Sequence, residues 1–104
     1  MRERNTNSSG KPWTREEIDA VWRKAKVIQG FDPAFVRQDP CNTWIQYSEF
    51  GTSEKDGVGW EIDHIKPVSK SGSDDLSNLQ ALQWENNKLK GDDWPTWKCA
   101  KIAR

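Results

Sequence analysis

Histidine occurs once in the 104 residues, at His64, and cysteine twice, at Cys41 and Cys99. A structural zinc ion normally takes four Cys or His ligands, so this chain cannot supply such a site alone. Neither cysteine belongs to a C-x-x-C pair, and the N-terminal MRERNTNSSG has no apolar segment of the kind that directs export. Both cysteines are therefore expected to be reduced, buried thiols in a cytoplasmic protein. No apolar run approaches the roughly 18 residues of a membrane span. An excess of charge of one sign is missing too: 16 basic and 16 acidic residues give a net charge of zero. That excludes a strongly basic nucleic-acid arm and an acidic tail. Hydrophobic residues are scarce at 34%, short of the usual level of about 45–50% even with the glycines counted. Such a chain is a single domain with a thin core.

Tryptophan, by contrast, is abundant. The seven residues Trp13, Trp22, Trp44, Trp60, Trp84, Trp94 and Trp97 run from end to end. Each can bury on the order of 200 Å², so they can offset the shortage of Leu, Ile and Val. Core filling is the simpler reading for any one of them, and stacking on nucleobases the rarer one.

Residues 1–11 are polar and rich in Gly and Ser, and read as a frayed tail ahead of a single domain over 12–104. Thr14-Arg-Glu-Glu17 is a capping box. Behind it Ile18, Val21, Trp22, Ala25 and Ile28 recur at helical spacing, which predicts an amphipathic helix ending near Gly30. Pro33, Pro40, Gly51, Gly57 and Gly59 break up the next stretch, leaving a short strand at Trp44, Ile45 and Tyr47. From Val58 to Ile65, Trp60 and Ile62 alternate with Glu61 and Asp63, the pattern of a strand that Pro67 ends. The polar loop SKSGSDDLS follows, then a strand over Leu79–Leu82 and a helix over Trp84–Lys90 stopped by Gly91. Residues 96–103 are expected to form a short last helix.

The second half thus reads strand, polar loop, strand, helix, with Asp63-His64 at the end of the first strand, Asn78 at the loop exit, and Asn87 and Lys90 in the helix. Singly, each has a structural explanation: a satisfied Asp–His pair, a turn asparagine, an ordinary helical polar residue. Together they suit phosphodiester hydrolysis, which needs a base for water and a cation for the phosphate and the leaving oxygen. Histidine is the side chain poised as a base near neutral pH. A carboxylate and an amide oxygen are hard ligands suited to hydrated Mg²⁺ or Mn²⁺. In a regular strand Asp63 and His64 point to opposite faces, so they share a site only if the strand is ending there.

The segment GWEIDHIKPVSKSGSDDLSNLQALQWENNKLKGD, with Asn78 14 residues after His64 and Asn87 nine further on, resembles the HNH endonuclease motif. The resemblance is close over residues 59–92 and looser upstream, through WTREEIDAVWRKAKVIQG and DPCNTWI. It implies an α+β fold, a small ββα-metal (HNH, or His-Me finger) core over 58–92 with an added N-terminal helix. It implies His64 as the general base, Asn78 as the residue that fixes the loop and keeps His64 oriented, and Asp63 and Asn87 as ligands of one divalent metal ion. Mg²⁺ or Mn²⁺ is expected, and zinc is compatible with the site. Lys90 and Lys66 are the expected substrate-binding residues. Asn86 is the rival of Asn87 on helical spacing, and the family spacing favours Asn87. Many HNH proteins carry two C-x-x-C pairs around a structural zinc. Here Gln83 and Asn86 stand at the second pair, so no structural zinc is expected, with Trp60 and Trp84 packing in its stead. The loop reads Ser-Gly-Ser where Gly-Gly is commoner.

The neutral total hides an uneven distribution: residues 1–30 are net +3, residues 31–60 net −3, and residues 61–104 neutral. The basic helix face is as readily a solvated surface as a DNA contact. The resemblance implies a DNA endonuclease leaving 5′-phosphate and 3′-hydroxyl ends, and the charge balance implies weak, salt-sensitive binding with little sequence specificity. A monomer with one site would nick duplex DNA; a homodimer would bring two sites to two strands. The alternatives are a non-catalytic DNA-binding or packaging-accessory module on the same scaffold, and an RNase.

Overall fold

In the computed structural model, which describes residues 2–101, a short helix and a two-stranded ribbon back onto a second ribbon that is followed by a helix. Helix α1 is Arg15–Trp22, and the capping box is made on both sides: Thr14 accepts from the Glu17 backbone N–H, and Glu17 accepts from that of Thr14. Strands β1 (Val36–Gln38) and β2 (Trp44–Gln46) pair antiparallel. Strands β3 (Trp60–His64) and β4 (Leu79–Gln83) form the second antiparallel pair, in the register Trp60 to Gln83 through His64 to Leu79. Helix α2, Trp84–Lys90, follows β4 without a loop, and Gln83 caps it by accepting from the backbone of Glu85 and Asn86.

One face of β3, carrying Trp60 and Ile62, packs with Leu79 and Ala81 of β4 against Trp13, Val21, Trp22 and Ile45. Trp22, Phe50 and Tyr47 crowd the rings of this core edge-on or tilted, with Trp60 and Trp22 centroids 5.1 Å apart. Three of the seven tryptophans, Trp13, Trp22 and Trp60, are thus buried core. Trp94 is 40% exposed.

Helix α1 is shorter than its apolar spacing suggests, ending at Trp22 instead of near Gly30. The chain leaves the helix so that Lys26 can exchange both backbone hydrogen bonds with Gln38. The carbonyls freed by this early exit are taken up from far along the sequence. Arg37 donates from Nη1 to Ala25 O at 3.0 Å and to Arg23 O at 3.3 Å, and from Nε to Pro33 O at 3.0 Å. The expected last helix does not form over residues 96–101, and residues 102 and 103 lie outside the described residues.

The cysteines are also not as expected. Cys41 and Cys99 form a disulfide, with Cα atoms 6.0 Å apart. The C-terminal segment turns back to bring them together: Lys101 N–H donates to Asn86 Oδ1 at 2.6 Å, and Thr43 Oγ1 donates to Lys101 O at 2.6 Å. A disulfide-bonded pair, unlike two reduced thiols, does not mark a cytoplasmic protein. No helix among the described residues is long and apolar enough to cross a membrane.

Trp60 and Trp84 do not take the place of a zinc knuckle. Trp60 belongs to the main core, and Trp84 donates its indole N–H outward to Glu54 O at 2.8 Å. At Gln83 and Asn86 the centre is instead the carboxylate of Asp39, 0% exposed. Its Oδ2 accepts from Gln83 N and Asn86 Nδ2, each at 2.9 Å, and its Oδ1 accepts from Cys41 N at 2.8 Å and Thr43 N at 2.9 Å.

Candidate active site

β3 and α2 bring the chemically active side chains to one cleft of about 200 Å³, lined among others by Asp63, His64, Asn87 and Lys88, with Arg2, Arg4 and Asn5 from the N-terminal segment. Asp63 and His64 share it because His64 is the last residue of β3. The alternation that would separate them stops there. The Asp63 side chain faces α2, where Lys90 Nζ lies 3.2 Å from Oδ2, and Gln80 Nε2 donates to the same oxygen at 2.9 Å. Burial pushes the Asp63 carboxyl above its ordinary value, against the pull of Gln80 and Lys90.

The His64 ring lies against Trp13, with centroids 5.5 Å apart, and its Nε2 is 2.7 Å from Asp74 Oδ1. A carboxylate only accepts hydrogen bonds, so Nε2 carries the proton and Nδ1 keeps the free lone pair. Burial would raise the Asp74 carboxyl, but the bonds from His64 and Ser8 outweigh it and hold the group below its ordinary value. Asp74 reads in the sequence only as one of two turn aspartates, and nothing local marks it as a histidine partner.

Asn87 donates from Nδ2 to Glu61 Oε1 at 2.8 Å. The same acceptor-only logic leaves Asn87 Oδ1 as its unengaged end, a hard oxygen at the cleft. Its rival Asn86 is 0% exposed and belongs to the Asp39 cluster. Among the described residues no three or more His, Cys, Asp or Glu gather as a metal cage. The donors at the cleft are one carboxylate, Asp63, and one amide oxygen. That set fits a small hard divalent cation, which binds through one or two protein oxygens and keeps waters and substrate phosphate in its other positions.

Asn78 ties the loop between β3 and β4. Its Oδ1 accepts from Lys66 N at 2.8 Å, and its Nδ2 donates to Lys66 O at 3.1 Å and Ser73 O at 2.8 Å. These bonds hold the chain two residues beyond His64. In the same loop Ser71 takes φ 72°, a left-handed conformation that glycine adopts without cost. Gly72 is sterically required: a Cβ there would sit 1.6 Å from Lys66 O. Gly72→Ala is expected to cost roughly 2 kcal/mol through forced backbone displacement, read as a shift in the urea midpoint.

Lys90 does not line the cleft. It is 1% exposed, and its Nζ is spent on Asp63 and on His64 O at 3.2 Å. An ammonium enclosed this way neutralises a buried carboxylate; it cannot touch a phosphate in the cleft. Lys66 is half-buried, with Nζ 5.2 Å from the Trp94 ring centroid. The basic residues around α1 are largely occupied as well. Arg15 donates to Tyr47, Lys24 to the carbonyls of Leu76 and Leu79, and Lys26 to Asn42.

The N-terminal segment, expected to be frayed, is laid across β3 instead. Arg4 Nε donates to Glu61 Oε1 at 2.6 Å, Asn5 Oδ1 accepts from Ile62 N at 2.8 Å, and Ser8 Oγ donates to Asp74 Oδ2 at 2.7 Å.

Residues 51–93 match the family model described as HNH endonuclease. No curated protein and no solved structure matches the chain.

Proposed function

We propose, from the match of residues 51–93 to the HNH endonuclease family model, that this protein is a metal-dependent endonuclease that hydrolyses DNA phosphodiester bonds, nicking duplex DNA with low sequence specificity. The nuclease unit is residues 12–104, and β3, β4 and α2 are its ββα-metal core. The observation that carries this reading is the single cleft lined by Asp63, His64 and Asn87, with an acceptor-only partner behind His64 and another behind Asn87.

His64 is the general base. Its Nδ1 takes a proton from water, while Asp74 holds Nε2–H and stabilises the imidazolium that forms. The water oxygen bonds to phosphorus as the bond to the 3′ oxygen breaks, and the departing 3′ oxygen takes a proton from solvent water, leaving 5′-phosphate and 3′-hydroxyl ends. Asp63 and Asn87 Oδ1 would hold a divalent cation, Mg²⁺ or Mn²⁺, which supplies charge stabilisation to the phosphate and the leaving oxygen. Glu61 turns the Asn87 oxygen toward the cleft, and Asn78 holds the loop that follows His64. Lys66 is the remaining lysine proposed to meet the DNA backbone.

Conversion of supercoiled plasmid to open circles tests this directly. Activity is expected with Mg²⁺ or Mn²⁺ and none in excess chelator. Binding without cleavage under every divalent metal would instead identify a DNA-binding module, and cleavage of RNA alone would identify an RNase.

A further inference from the structure

We propose that the N-terminal strap, residues 2–9, is part of the substrate site, and that Arg4, held by Glu61, clamps a phosphate of the nucleic-acid backbone. The inference takes its ligand class from the nuclease reading. The strap itself lies outside the matched residues 51–93.

The strap is fixed at both ends. At one end Arg4 pairs with Glu61, and Asn5 caps the free backbone edge of β3. At the other, Ser8 N–H and Oγ both reach Asp74, the partner of His64. Through Arg2, Arg4 and Asn5 the segment borders the cleft that holds Asp63, His64 and Asn87.

Arg4 is suited to bind an anion there. A guanidinium has five N–H donors in a planar fork. Glu61 uses only Nε, and the side chain is 40% exposed whereas that of Glu61 is 6% exposed. A buried carboxylate thus orients an accessible fork whose two terminal groups remain for a second acceptor. Paired N–H donors in one plane match the oxygens of a phosphate. The same Glu61 oxygen accepts from Asn87 Nδ2, so one carboxylate sets both the phosphate clamp and the amide oxygen offered to the metal. Arg2 also lines the cleft, but its Nη1 is turned to Thr6 O at 2.9 Å, and Lys88, exposed at the cleft, offers a single ammonium with no fork; Arg4 alone of the three presents an oriented planar fork. Lys90, the lysine that the family spacing offers for this task, is enclosed, and a guanidinium from the strap fills the vacancy.

The test is binding of a short fluorescein-labelled DNA duplex in excess chelator, followed by anisotropy over a series of salt concentrations, with plasmid nicking in Mg²⁺ measured beside it. Arg4→Gln keeps an N–H for Glu61 and removes the charge and the fork. It is expected to bind about ten-fold more weakly, with a salt slope shallower by about one. Equal affinity and equal slope would overturn the clamp, as would tighter binding or faster nicking, which would mark the strap as a cover over the site. If Arg4→Gln melts below the assay temperature, Arg4→Lys carries the test, because it keeps the ion pair and loses the fork. Its KM for plasmid should rise several-fold, and an unchanged KM overturns the proposal. Arg4-dependent binding by a wild-type protein that never nicks would sink the nuclease reading and leave the clamp standing. Nicking that is indifferent to Arg4 would do the reverse.

Discussion

Asp39→Ala is expected to destabilise the protein by about 3 kcal/mol or more, lowering Tm by at least about 12 °C for a domain of this size. Asp39 is fully buried and accepts four hydrogen bonds, from the backbone of Cys41, Thr43 and Gln83 and from the side chain of Asn86. Alanine leaves all four donors in a space closed to bulk water, and each buried donor without a partner costs about 1–3 kcal/mol. The loss is not confined to one turn, because the carboxylate joins the loop before β2 to the junction of β4 and α2. Asp39→Asn, which matches in shape, is expected to fall nearly as far, since its NH₂ end would face two donors. A thermal melt checks both variants. A Tm within about 4 °C of wild type for Asp39→Ala would mean that the network contributes little.

This cluster also marks where the sequence stops being readable. β3, β4 and α2 follow from local signals: alternation through Trp60–Asp63, the short strand Leu79–Leu82 after the polar loop, and good helix formers stopped at Gly91. The chemical residues lie on those elements, so the cleft-forming set of Asp63, His64 and Asn87 is legible from the order of residues along the chain. What is not legible depends on partners far away in sequence. Arg37 satisfies the carbonyls that end α1 early, and no pattern around Trp22 announces it. Asp39 precedes a proline and looks like any turn residue. The signal for it lies in Gln83 and Asn86, two side chains rich in hydrogen-bonding groups at the spacing of a zinc-binding pair, which need a polar partner once buried. The strap has no apolar periodicity, and its contacts with Glu61, Ile62 and Asp74 span 57 to 66 residues. Lys90 shows the opposite failure. Its place in the motif points it at the phosphate, but the Asp63 carboxylate, drawn inward at the end of β3, takes its charge first.

His64→Ala is the substitution with the largest expected effect on activity. Nothing else at the cleft can replace it: His64 is the only histidine, Asp63 is held by Lys90 and Gln80, and Asp74 is bonded to the His64 ring and to Ser8. Loss of a positioned general base costs about 10²–10⁴-fold in rate. The fold should survive, because the ring removed is one of several packed at the edge of the core and Trp13 remains beside it. The decisive experiment on His64 is nicking of supercoiled plasmid in Mg²⁺ or Mn²⁺, wild type beside His64→Ala at matched concentration, with circular dichroism showing both folded. The wild type should give metal-dependent open circles, and the variant a rate at least about 100-fold lower. Equal rates for the two proteins, or nicking by either that persists in excess chelator, would contradict this expectation.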